Sequence, residues 1–304
     1  MRLSAYSNPS PDFPSPEAFI QTLQQSLPSF GSVEWLSSTG STNADLSQRA
    51  KVSAHYSVTV PPKPWLLGAH LQTAGKGRAG RPWANEAGST LMFSCAFTHQ
   101  IPLAQLPGIA PAIGVATCLA LRALIAPQTL GTSNSSEPLD PLRHLTLKWP
   151  NDLQWHGAKL AGLLIETAPA STVIVGMGLN LRGAETLSAH LDREIADLSQ
   201  VQLDLASDCI HPAQLVAHIA QAWQHALDEY TTHSYTAFTH SFAIVDALAG
   251  QAVQVMDQGQ ILYQGIAHGT DALGRLRVLT EAGEIPVLVG DVSIRPAHPL
   301  KGTP

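Results

Sequence analysis

The chain has 304 residues, of which 44% are hydrophobic and 13% charged, and a formal net charge of −6. That length allows one large core or two smaller ones, and the acidic balance provides no overall basic field for non-specific nucleic-acid binding. Cys95, Cys118 and Cys209 lie far apart with no CxxC pair, which argues against a disulfide framework or a cysteine zinc site and fits reduced cytosolic thiols.

In chain order, residues 1–32 read as an irregular Pro/Ser-rich extension carrying one short helix, "SPEAFIQTLQQSL". The first residues lack an apolar h-region, so they do not read as a signal peptide. Ser41 or Thr42 is placed to cap a helix over 42–50. Strands are expected at 65–73 and 90–97. The apolar run 109–126 contains Pro111 and Arg122, which leaves too little to span a bilayer, so it reads as a buried helix over about 111–125 of a soluble protein. The stretch 127–141 reads as a flexible surface insertion. Further strands are expected at 144–149, 160–167 and 171–181, with His156–Gly157 closing a hairpin, and a long helix at 212–231. This mixture predicts an α+β unit over 33–247, its sheet mixed or largely antiparallel with flanking helices. From about Leu248, five short strands broken by "DQG", "DALG" and "EAG" predict a small closed barrel over 248–304.

Four stretches carry polar groups that packing alone does not ask for. In "AGKGRAGRPW" (74–83), Gly75, Gly77 and Gly80 have the spacing of a dinucleotide fingerprint. No helix opens after it, however; Pro82 and Gly88 punctuate a loop that leads to another strand. Lys76, Arg78 and Arg81 make it a cationic loop suited to closing over an anion with several negative charges; a solvated hairpin tip is the plain alternative. In "GSTNADL", Ser41, Thr42 and Asn43 precede an apolar-periodic stretch. A helix N-cap explains one of them, and the three together can read a polar uncharged group such as a urea or amide. "LKWPNDLQWHGAKLAGLLIE" (147–166) surrounds a Pro-Asn-Asp turn with Lys148, Asn151, Asp152 and Lys159. Lys159 heads an apolar strand; it is either a snorkelling surface residue or a charge placed to stabilise an oxyanion. In "VIVGMGLNL" (173–181), Gly176 and Gly178 let another group approach a buried strand, and Asn180 is a strand-end cap or a ligand contact.

Together these stretches resemble the biotin protein ligase family. The marks are "STN" at 41–43, the glycine-arginine loop from Gln72 to Trp83, "KWPND" at 148–152, "KLAG" within 157–166 and "G-x-G-x-N" at 176–180, in the family's order and followed by a small barrel. The resemblance covers roughly residues 33–298. It implies a class II synthetase-like biotin/lipoate ligase fold with an SH3-like β-barrel behind it. It also implies a ligase that joins biotin to AMP using ATP and Mg²⁺, then passes the biotinyl group to one lysine of a biotin carboxyl carrier protein. Carried over by position, Ser41, Thr42, Asn43, Gln72, Lys76, Gly77, Arg78 and Lys159 bind biotin, and Lys159 and Arg78 serve catalysis. Arg81, Trp83, Asn151 and Asn180 lie on the nucleotide side, with Arg295 reaching the ATP phosphates. No metal ligand is implied, and Asp152 is a candidate base for the acceptor lysine by type alone. Only 40 residues precede Ser41, rich in Pro and Ser, against the winged helix-turn-helix of about 60 residues that leads repressor-type members, so no DNA binding is expected. No membrane association is expected either, and a cytoplasmic enzyme is; monomer and homodimer both remain open. A lipoate or octanoate ligase or transferase of the same fold is the alternative, which the loop and the barrel disfavour.

Overall fold

The computed structural model describes residues 13–55, 60–126, 140–191, 193–257, 259–288 and 293–296. The expected insertion at 127–141 falls almost wholly outside them. The order of elements is α1 (Pro16–Ser26), β1 (Ser32–Leu36), α2 (Thr42–His55), β2 (Trp65–Ala69), β3 (Thr90–Thr98), α3 (Ile109–Ile125), β4 (Leu145–Lys148), β5 (Asp152–Trp155), β6 (Ala158–Ala168), β7 (Thr172–Asn180), α4 (Ala184–Leu191), α5 (Leu198–Asp204), α6 (Pro212–His233), α7 (Thr239–Val245), β8 (Ala252–Asp257), β9 (Gln260–Thr270), β10 (Leu276–Thr280), β11 (Gly283–Val287) and β12 (Ser293–Pro296). The first seven strands form one sheet in the order β1-β2-β3-β7-β6-β5-β4, antiparallel throughout except for the parallel β1–β2 pair. The α+β expectation thus holds.

Strand alternation assigns the two faces of this sheet. On one face Leu66, Cys95, Val173 and Val175 join the main core beneath α1, α3 and α6. On the other, Trp65, Leu67, Ala96 and Ile174 pack under Leu46 and Ala50 of α2. Burial in the main core pushes the Cys118 thiol up to about 12, as expected of an inert packing residue. The helical stretch Leu103–Ile125 is long and apolar enough to cross a membrane, but 78% of its apolar window is buried inside the protein. It is a core helix.

Local signals account for most boundaries. Pro212 follows the cap residue His211, whose Nδ1 accepts from Ala213 N–H, and Asp197 with Gln200 forms a capping box that starts α5. His156 and Gly157 both have positive φ, the geometry of a type I′ hairpin. One expectation changes. Residues 16–26 are not an appendage: Phe19 and Leu23, four apart on α1, are fully buried. The Phe19 ring stacks on Trp35 with centroids 3.8 Å apart, and the His70 ring donates to Pro14 O at 2.8 Å. The core therefore begins before residue 33.

The last five strands form an antiparallel ladder, β11-β10-β9-β8-β12. It is curved by register shifts in the β8–β9 and β9–β10 pairs. This curved antiparallel ladder, with β11 and β12 at its edges among the described residues, is the small SH3-like barrel expected from the sequence. It seats on the first sheet through Trp149 Nε1–H, which donates to Gly274 O at 2.9 Å, and through the Tyr235 and Thr270 hydroxyls, 3.1 Å apart. In the connection, Ala247 N–H donates to Leu147 O. The neighbouring Asp246 is half-buried; its Oδ1 accepts from Leu248 N–H, and its Oδ2 is buried with no hydrogen-bond partner.

Two outcomes are expected. Phe19→Ala should cost about 3–5 kcal/mol, read as a lower urea midpoint, whereas a disposable extension would give no shift. Burial raises the Asp246 carboxyl to about 6, while in the unfolded chain it titrates near 4. Folding thus favours the protonated form, so this group's stabilisation is greatest below about pH 4 and is lost as pH rises through 6. Asp246→Asn keeps the acceptor for Leu248, and its stability advantage over the parent should grow between pH 4 and pH 7.

Candidate active site

Where α2 ends, its face of the sheet runs on uncovered. The in-register residues there are mostly small: Ser94 opposite Gly176 and Gly178 opposite Gly162, with Leu164 on the far side of Gly176. A cavity of about 580 Å³ opens over them, within the roughly 300–1,000 Å³ typical of small-molecule sites. The two glycines of β7 are needed for their size. A Cβ at Gly176 would overlap the Asn43 amide oxygen, and one at Gly178 would overlap the Trp83 indole. The Trp83 ring lies across this floor, close enough that a Cβ at Gly162 would also press on it.

One end of the cavity is neutral and tightly hydrogen-bonded. The Thr42 N–H donates to Gln72 Oε1 at 2.8 Å, and the Thr42 and Ser94 hydroxyls are 2.6 Å apart. Ser94 donates to Asn43 Oδ1 at 2.6 Å. Asn43 Nδ2 donates to Glu166 Oε2 at 2.8 Å and Leu164 O at 3.3 Å. Asn85 holds Gln72 by the backbone, accepting from its N–H at 3.1 Å and donating to its carbonyl at 2.9 Å. Thr42, Asn43 and Ser94 are all buried, so each hydroxyl and amide needs the partner it has.

The other end is cationic. Six of the chain's 17 Lys and Arg residues line this cavity against a single carboxylate, Asp152. Three come from the loop 74–83, which is folded as a small hairpin. Gly77 N–H donates to Arg81 O at 2.7 Å and Trp83 N–H to Gly75 O at 2.9 Å; between them Arg78–Gly80 makes a single 3₁₀ turn with Ala79 at φ 54°. Arg78 Nη1 donates to Asn151 Oδ1 at 3.3 Å, and Asn151 Nδ2 to Leu163 O at 2.5 Å. Lys159 Nζ donates to Asp152 Oδ1 at 2.7 Å and sits 5.2 Å from the centroid of the Trp83 ring. A carboxylate on one side and a π face on the other hold this ammonium at the cavity wall. Asp152 is thereby engaged as the counter-ion of Lys159 rather than standing free as a base.

Of the residues expected from sequence, Ser41, Thr42, Asn43, Gln72, Lys76, Gly77, Arg78, Arg81, Trp83, Asn151 and Lys159 all line this one cavity. Ser41 Oγ also accepts from Ala44 N–H at 3.5 Å, so the cap expected there is a loose one. Asn180 does not line the cavity. Its Nδ2 donates to Ala196 O at 3.1 Å and Lys159 O at 3.3 Å, tying the end of β7 to the segment before α5, and its Oδ1 is buried without a hydrogen-bond partner. Arg295 pairs by its backbone with Gln254 on β8, its side chain lying outside the described residues; the adjacent Ile294 lines the cavity. Sequence reasoning missed Ser94 and Arg193. Ser94 is the lone hydroxyl inside "TLMFSCAF", a polar intrusion into an apolar strand, whereas nothing in the residues around Arg193 marks it out.

The sheet thus has helices on both faces and carries a cavity that grades from neutral polar to strongly cationic, a lining chemically suited to a small polar acid and an anionic partner. Residues 40–180 match the biotin/lipoate A/B protein ligase family, and residues 249–295 match the biotin protein ligase C terminal domain. The chain is 33% identical over 258 residues to a biotin--[acetyl-CoA-carboxylase] ligase of Mycobacterium tuberculosis, covering 84% of this chain and 85% of that one. It is 25% identical to a bifunctional ligase/repressor BirA of Bacillus spizizenii, covering 77% of this chain and 67% of that protein. In fold it is similar to the biotin protein ligase of Aquifex aeolicus solved with biotin and ATP (TM-score 0.69, 23% identity, 88% of this chain and all of that one). The chain belongs to the biotin protein ligase family.

The platform yields a test. Gly178→Ala should leave the far-ultraviolet circular dichroism unchanged while unseating Trp83, with about a tenfold loss of ATP affinity by calorimetry, some 1.4 kcal/mol. Unchanged affinity would separate Trp83 from ligand binding.

Proposed function

We propose that this protein activates biotin with ATP to biotinyl-5′-AMP and transfers the biotinyl group to one lysine of a biotin carboxyl carrier protein. The observation that carries this reading is the polarity of this cavity: a buried neutral hydrogen-bonding end suited to a urea, a floor opened by glycines, and a cationic end suited to carboxylate and phosphate. The match of residues 249–295 to a C-terminal domain named for biotin protein ligases favours biotin over lipoate within the shared family.

In the first step the biotin carboxylate attacks the α-phosphorus of ATP and pyrophosphate leaves. Bringing a carboxylate to a polyanion is opposed by charge repulsion, so catalysis is mainly positioning and electrostatic stabilisation. Thr42 and Gln72 hold the ureido end; Lys76, Gly77 and Arg78 close over the bound acid; Lys159 contacts its carboxylate and, later, the anhydride. Arg81, Trp83 and Asn151 serve the nucleotide, Asn180 supports that side from below, and Arg295 reaches the phosphates. Asn43 acts through Ser94 and Thr42 rather than by contact. In this reading Mg²⁺ enters with the ATP phosphates. In the second step the carrier lysine attacks the anhydride carbonyl and AMP leaves, while the closed loop keeps water from the anhydride. The catalytic unit is taken as 33–247 together with α1, and the second unit as 248–304, acting in the cytoplasm.

The test is mass spectrometry of a biotin carboxyl carrier domain incubated with the protein, biotin, ATP and Mg²⁺. One biotin on one lysine is expected, dependent on ATP, with Lys159→Ala and Arg78→Ala each slower by about 100-fold or more. Transfer of lipoate instead of biotin would move the protein to the lipoate branch, and full activity in both variants would reject the role given to the cationic end.

A further inference from the structure

We propose that Glu166, Asn43 and Ser94 form a one-way hydrogen-bond relay that makes the Thr42 hydroxyl an obligate acceptor toward the cavity, so that the site selects ligands presenting an N–H there. The ligand assignment rests on the biotin reading above; the relay rests on the protein's own atoms. Its direction follows from which groups can donate. Leu164 O can only accept, and an ionised Glu166 carboxylate can only accept. Both lie against the same end of the Asn43 amide, at 3.3 and 2.8 Å, so that end must be the NH₂. Turning the amide over would set its oxygen against two acceptors at once.

With Asn43 so oriented, its oxygen faces Ser94 at 2.6 Å and Ser94 must donate. A serine hydroxyl has one proton, and it is now used. The 2.6 Å contact between Ser94 and Thr42 therefore takes its proton from Thr42. Gln72 Oε1, 3.2 Å from the Thr42 hydroxyl, is likewise an acceptor and offers no proton in return. Thr42 is left with lone pairs only. Asn43 and Ser94 are 5% and 1% exposed, so the contacts that set the direction are made within the protein, and the carboxylate at the outer end polarises the chain in the same sense.

At Thr42 a ureido N–H is accepted, whereas a ring oxygen or sulfur in the same place meets lone pair with lone pair. Gln72 complements this. Its amide oxygen is committed to the Thr42 N–H, which leaves its NH₂ end for the urea carbonyl. Glu166 and Ser94 are thus positioning residues for specificity, acting through Asn43 and Thr42. Glu166 does this from the exposed outer end of the relay.

The experiment is calorimetric affinity for biotin and for its cyclic carbamate analogue, in which one ureido N–H is replaced by oxygen. The parent protein should prefer biotin by about 100-fold or more. In Ser94→Ala the Thr42 proton loses its 2.6 Å acceptor and keeps only the longer 3.2 Å contact to Gln72 Oε1, which already accepts from the Thr42 N–H. It can then turn to a ligand acceptor, and the preference should fall at least tenfold, chiefly through better carbamate binding. Glu166→Lys, an exposed change that offers only donors to Asn43, should erode the preference in the same sense, whereas Glu166→Gln, which can still accept, should retain it. A merely structural defect would weaken both ligands equally, and that unchanged ratio in both Ser94→Ala and Glu166→Lys would overturn the relay. A parent protein that binds neither ligand would instead defeat the biotin reading, and the relay's ligand assignment with it.

Discussion

The site depends on side chains that are absent from one strand face. Every strand of the main sheet alternates its residues between the two faces, and on most of the sheet both faces are filled. On β7 the pattern Ile174, Gly176, Gly178 empties one face just past the edge of α2. Asn43 enters the first gap and Trp83 the second. A methyl group at either position would push back a residue that comes from far away in sequence, and the cavity floor would no longer meet its walls. Interiors are close-packed, so such a gap persists only where something else fills it or a ligand does.

Charge is distributed to match. The chain as a whole is acidic, yet six cations converge on one cavity. Left alone they would repel, and the structure limits this by giving partners to those nearest the floor. Lys159 has Asp152 and the Trp83 face, and Arg78 has Asn151. The remaining loop cations stay near water, where screening makes their mutual repulsion small until an anion displaces the solvent. The field is therefore weak in the empty site and strong in the occupied one, as a site for two anionic reactants requires.

Much of this was legible in the chain because close approach leaves marks in sequence. The glycine pair of β7, the His156–Gly157 turn and the consecutive Ser-Thr-Asn that opens α2 each announce a local geometry, and all three occur where expected. What was not legible depends on register and long-range packing. Ser94 matters only because β3 pairs with β7 so that its hydroxyl stands opposite Gly176, and no local pattern carries that. Asn180 reads as a site residue because it ends a glycine-rich strand, but its amide turns to the 159 and 196 carbonyls instead. The role of α1 was hidden by its proline-rich surroundings, although Phe19 and Leu23 already had the spacing of one helical face. The β6–β7 turn, at Ala170–Ser171, has positive φ at both residues with neither glycine nor asparagine to signal it.

The two ends of the cavity are built from different kinds of element, and the chemistry explains why. The neutral end is held by the first turn of α2 and by the middle of the sheet, where Thr42, Asn43 and Ser94 are buried and hydrogen-bonded to one another and rearrangement would leave orphans. The cationic end is held by a ten-residue hairpin and a turn, closed by few hydrogen bonds and bearing exposed side chains. Recognition of a urea needs donors and acceptors fixed before the ligand arrives, because a misdirected proton costs affinity directly. Adenylation and transfer need the opposite at the other end: a surface that admits ATP, shields a hydrolysable anhydride, and then opens to a lysine on another protein. The second sheet reaches the cationic end through Ile294 and through the Gly274 carbonyl, which accepts from Trp149. It therefore borders the cationic wall without touching the groups that form the neutral end.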